Sequence, residues 1–117
     1  MVLALVDDLM FRSKIKSTAT QLGVAVTFAG SQDAALAAMR TTVPTLVIFD
    51  LNSARTDPLG TLAAMKQDPA LASIRSLGYV SHVDVATIDA AHAAGVDDVL
   101  ARSAFTLNLA ELLTRAG

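Results

Sequence analysis

Five short apolar runs constrain the fold of this sequence more than any other feature: Val2 to Val6, Val24 to Phe28, Thr45 to Phe49, Leu77 to Val80 and Val99 to Ala101. Near-continuous apolar runs of this length predict strands covered on both faces, as a parallel sheet requires. The segments between them carry helical period, so strands and helices alternate along the chain. The reading is an α/β domain, (βα)5, with a doubly wound parallel sheet.

The connecting segments carry their own start and stop signals. Ile15, Ala19 and Leu22 mark one face of a first helix, which Gly23 ends. Ser31 can cap a second helix that turns Ala35, Leu36 and Met39 inward. Asp57-Pro58 opens a third, because Asp accepts orphan N–H bonds and Pro fits the first helical position. Asp68-Pro69 repeats that signal for a short extra turn. Asp84 opens a fourth helix with Val85, Ile88 and Ala91 along its inner stripe, ended by Gly95. Thr106 is the expected cap of a last helix carrying Leu109, Leu112 and Leu113.

At 117 residues, 53% hydrophobic and 17% charged, the chain is expected to be one packed domain spanning 1–117, with no second domain beside it. No apolar run approaches the ~20 residues that span a bilayer, and the first strand begins without a basic leader. A cytoplasmic location without membrane contact is expected. The absence of cysteine removes thiol nucleophiles and zinc–thiolate sites. A net charge of −2 with no basic stripe gives no support for direct nucleic-acid binding.

Acids stand at the ends of two of the strands. Asp7-Asp8 closes the first apolar run and Asp50 closes the third, so the three carboxylates are expected at one edge of the sheet, where open α/β folds keep their ligand sites. Acids crowded there repel one another unless a cation lies among them, and hard oxygen ligands suit Mg²⁺. The plainer reading of Asp8 is a cap for the first helix. His92 is expected to face water, and no Ser-His-Asp spacing supports hydrolysis. Asp97-Asp98 precedes a strand instead of following one, which predicts a solvated turn at the opposite edge.

Ser81 follows the fourth run and Arg102 the fifth. Together with Asp7, Asp8 and Asp50 they form an ordered strand-end set that resembles the receiver domain of two-component response regulators, over nearly the whole chain. The resemblance implies a flavodoxin-like sheet of order 2-1-3-4-5 and a phosphoryl group passed from a histidine kinase or phosphotransfer protein to Asp50. It implies Mg²⁺ held by Asp7, Asp8, Asp50 and the main-chain carbonyl of Asn52, and a hydroxyl at Ser81 that moves to bond the phosphate. Output through the face of the fourth helix, fifth strand and fifth helix, to a partner protein or a second copy, is implied as well.

Several positions depart from that pattern. Arg102 replaces the family's lysine, and its planar fork either holds a phosphate bidentately or pairs with Asp50 and obstructs attack. Ser103 stands where proline usually follows, so the loop after the fifth strand is expected to take another path. Val99 replaces a common aromatic residue, and His82 a small one, which would restrict access to the acceptor. Ser53-Ala54 and Pro58 replace a usual Met-Pro pair and glycine.

These departures leave two readings: a receiver phosphorylated at Asp50, whose only chemistry is on itself, and a phosphorylation-independent interaction module locked by Arg102. An enzyme or flavin carrier on the same fold would need a Gly/Ser/Thr-rich phosphate loop after the first strand, which this chain lacks.

Overall fold

In the computed structural model, which describes residues 1–81 and 84–116, the apolar runs pair into one parallel five-stranded sheet of order β2-β1-β3-β4-β5. The elements run β1 (Val2–Leu5), α1 (Leu9–Leu22), β2 (Val26–Phe28), α2 (Gln32–Thr41), β3 (Leu46–Asp50), α3 (Pro58–Gln67), β4 (Arg75–Val80), α4 (Val85–Ala94), β5 (Asp98–Ala101) and α5 (Arg102–Ala116). This is the expected (βα)5, flavodoxin-like arrangement. β1 is central: Val2 stands opposite both Val26 of β2 and Leu46 of β3.

Alternation along each strand feeds two cores, because successive side chains leave a strand on opposite faces. Leu3, Leu5, Val47 and Phe49 pack with Ala35, Leu36, Met39, Leu62, Met65 and Ala91 under α2, α3 and α4. Val2, Ala4, Ile48 and Tyr79 pack with Phe11, Ile15, Ala19, Phe105, Leu109 and Leu113 under α1 and α5. The sheet order reverses direction between β1 and β3, so their C-terminal ends border the crevice in which such folds hold ligands.

The helix signals operate largely as read. Asp8, Ser31, Asp57 and Asp84 accept N–H bonds at the starts of α1 to α4, and Gly23 (φ 71°) and Gly95 (φ 99°) close α1 and α4 in the left-handed conformation. Asp68 accepts from the Ala70 N–H at 3.0 Å in the expected extra turn.

Several expectations are corrected. β2 starts at Val26, because the Val24 N–H bonds to Ala19 O at the end of α1 instead of joining the sheet. β3 and β4 are shifted or longer, and Asp50 is the last residue of β3. Leu22 is exposed, since it stands in the last turn of α1 beside Met1 and Thr114 at a surface groove. Val85, at the first position of α4, is 68% exposed and does not belong to the inner stripe. α5 begins at Arg102, so Thr106 is inside the helix and not its cap. Serine at 103 leaves Arg102 free to turn helical, which a following proline would disfavour.

Asp98 is in β5, and the acid pair is tied down instead of merely solvated. Asp97 accepts from the buried Ser76 N–H at 2.8 Å and hydroxyl at 3.3 Å, and Asp98 pairs with Arg75 at 2.9 Å. Among the described residues, no helix is long and apolar enough to cross a membrane.

Candidate functional site

The C-terminal ends of β1, β3, β4 and β5 carry Asp7 and Asp8, Asp50, Ser81 and Arg102 respectively. His82, expected beside the acceptor, lies outside the described residues. β1 and β3 are adjacent, which brings Asp7, Asp8 and Asp50 to the same crevice. Their fates differ.

Asp50 is partly buried. Its Oδ1 accepts the Asn52 N–H at 3.0 Å, and among the described residues its second oxygen has no hydrogen-bond partner. Burial pushes its pKa above the ordinary carboxylate value, and the charges of Asp7 and Asp8 add to the rise; the Asn52 N–H and Arg102 oppose it. Asp50 therefore feels both neighbouring acids, as strand-end crowding implies.

Asp8 is a helix cap first. Its Oδ1 accepts the Phe11 N–H at 3.0 Å, and its Oδ2 lies 3.8 Å from the Arg102 guanidinium. Arg102 is thus paired with Asp8, whereas pairing with Asp50 was one of the alternatives read from the sequence; among the described residues no ion pair joins it to Asp50. The guanidinium also stacks over the Phe11 ring, 4.5 Å from its centroid.

Among the described residues, no three acidic or histidine side chains form a group that could hold an ion alone. Magnesium needs less, because it keeps several waters and is commonly bound by one or two carboxylates. The hard oxygens of Asp7 and Asp50, with the Asn52 carbonyl, suit that demand.

Asn52 does more than its main chain suggested. Its side-chain Oδ1 accepts the Ser81 N–H at 2.7 Å, so one residue bonds Asp50 through its backbone and the end of β4 through its side chain. The Ser81 side chain is exposed beside this link. Gly78 lets the acceptor loop close on β4, since a Cβ there would stand 2.6 Å from Leu51 Cδ1. Val99 is partly buried against the core under α2, α3 and α4.

Beneath the acids is a cluster that sequence reading missed. Tyr79 stands 4.9 Å from both Phe11 and Phe105, ring centroid to centroid, and stacks on the latter. Burial raises the pKa of the Tyr79 hydroxyl well above its usual value, and the Asp50 charge contributes. The spacing of Ile15 and Ala19, extended four residues back, reaches Phe11 and could have found it.

The sequence matches no family model and no curated protein. Solved structures match over nearly the whole chain. A response regulator protein from Burkholderia multivorans is 29% identical, with 97% of this chain and 91% of that one covered and a TM-score of 0.76. The chemotaxis response regulator CheY4 of Vibrio cholerae is 20% identical over 99% of this chain and 97% of its own, with a TM-score of 0.83. The Mn²⁺-bound form of the response regulator Rcp1 is 19% identical over 97% and 88%, with a TM-score of 0.78. The chain has the fold of these response-regulator receiver domains over nearly its whole length.

Proposed function

We propose that residues 1–117 form one receiver domain of cytoplasmic two-component signalling, in which Asp50 accepts a phosphoryl group in a Mg²⁺-dependent step. The observation that carries this reading is Asp50 itself: a partly buried carboxylate at the end of β3, one oxygen bonded by Asn52, the other without a partner among the described residues. The donor is a phosphohistidine of a sensor kinase or phosphotransfer protein. An Asp50 oxygen attacks phosphorus, the P–N bond breaks, the imidazole nitrogen keeps the electron pair, and an acyl phosphate forms.

Asp7, Asp50 and the Asn52 carbonyl would hold Mg²⁺, with Asp8 completing the acid set. Bound there, the ion would neutralise charge on the phosphoryl oxygens. That the similar regulator Rcp1 is known in a Mn²⁺-bound form supports a divalent cation in this reading. Ser81 offers its hydroxyl, and Arg102 its fork, to the phosphoryl oxygens. The signal leaves through α4, β5 and α5 to a partner protein or a second copy, with no direct contact to nucleic acid or membrane and no turnover of another substrate.

The second reading, a module that works without phosphorylation, draws on the Arg102–Asp8 pair, which already occupies one acid of the set. Incubation with Mg²⁺ and acetyl phosphate, followed by intact mass, separates the two. A single phosphoryl adduct that Mg²⁺ removal abolishes is expected; an unchanged mass would favour the second reading.

A further inference from the structure

We propose that Phe11 is a positioning residue for Arg102: its ring seats the guanidinium beside Asp8 and so keeps it off Asp50 until a phosphoryl group arrives. The release step rests on the reading of Asp50 as phosphoacceptor; the seat does not.

Phe11 sets both members of the ion pair. Its backbone N–H, in the first turn of α1, donates to Asp8 Oδ1 at 3.0 Å, and its ring lies under the Arg102 guanidinium at 4.5 Å. The ring is itself held, being 4% exposed and packed at 4.9 Å from Tyr79 and 5.7 Å from Phe105. Arg102 opens α5 directly after β5, and Phe105, one turn later on the same helix, belongs to the same cluster. The cation and its platform are therefore fixed by the same packing.

An unseated guanidinium at this edge would have other carboxylates to choose from. A planar fork matches a carboxylate bidentately, and such a pair at Asp50 would occlude the attacking oxygen. Stacking on an aromatic face suits a guanidinium more than a compact ammonium, so phenylalanine at 11 and arginine at 102 form a matched pair. The seat is also releasable. Asp8 and Arg102 are 43% and 42% exposed at 3.8 Å, a geometry in which an ion pair is weak. A phosphoryl group on Asp50 offers the fork more charge and more acceptor oxygens than Asp8 does.

Side-chain NMR and phosphorylation kinetics test this together. In the wild-type protein the Arg102 Nε–H proton is expected upfield of those of Arg75 and Arg115, with nuclear Overhauser contacts to the Phe11 ring. Both signatures should disappear in Phe11→Leu, and its uptake of phosphoryl from acetyl phosphate should slow about threefold or more. In the Arg102→Gln background, Phe11→Leu should leave uptake unchanged. Missing contacts and an ordinary Nε–H position in the wild type, a readout that needs no variant to fold, would overturn the seat. Equal slowing in both backgrounds would also overturn it, reducing Phe11 to core packing. Absence of any adduct on the wild type would instead defeat the acceptor reading and the release step, with the NMR contacts still deciding the seat.

Discussion

The chain carries two adjacent acid pairs at opposite edges of one sheet, and the molecule treats them differently. Asp97 and Asp98, at the edge where strands begin, are bonded within the chain: Asp97 to the N–H and hydroxyl of Ser76, Asp98 to Arg75. At the edge where strands end, Asp8 is similarly occupied by the Phe11 N–H and Arg102, while Asp50 is partly buried and feels the charge of Asp7, with the Asn52 N–H as its main relief. An acid paired with its own fold's donors holds structure together. An acid left short of donors and pressed by like charge raises the free energy of the resting state, and a cation or a phosphoryl transfer relieves it.

Breaking the first edge should cost the most. Asp97→Ala leaves the buried Ser76 N–H and hydroxyl without their acceptor, and a loss of about 1–3 kcal/mol in urea unfolding is expected. A loss below a few tenths would show that water replaces the carboxylate there. Asp8→Ala should cost about 1 kcal/mol through the lost cap, with little added by the half-exposed ion pair. Restoration by Asp8→Asn, which caps without charge, would confirm that division.

Asp50→Asn should act in the opposite direction. A carboxyl whose pKa is raised by folding contributes stability below its unfolded pKa, and that contribution is lost as pH rises through the folded value. At neutral pH the ionised acid is therefore destabilising, so the amide should melt higher than the wild type, and the gap should close on acidification below the ordinary carboxylate range. A gap independent of pH would mean that charge is not its cause. Asp98→Ala, which removes only an exposed pair with Arg75, should change stability by less than about 1 kcal/mol.

The sequence was informative wherever a local rule decides the outcome. Apolar runs, caps such as Asp57-Pro58 and stops such as Gly23 depend on neighbours a few residues away, and they formed as expected. Errors gathered where distant residues decide. Leu22 has the right spacing for the core but stands at its rim, and Ser76 claims Asp97 from 21 residues away. The start of α5 followed from what is absent at 103, and Thr106 offered a cap signal that the helix ran past. At the site, strand ends located the acids, Ser81 and Arg102, but which acid Arg102 meets depends on the Phe11 ring, a tertiary contact that residue spacing does not specify.

The most direct measurement of the central claim locates the phosphoryl group. The protein is incubated with Mg²⁺ and acetyl phosphate, reduced with borohydride, which converts an acyl phosphate to the alcohol, and mapped by peptide mass spectrometry. Reduction at Asp50, absent without Mg²⁺ and absent in Asp50→Ala, is the expected result; an unmodified Asp50, or modification that persists elsewhere in Asp50→Ala, would contradict it.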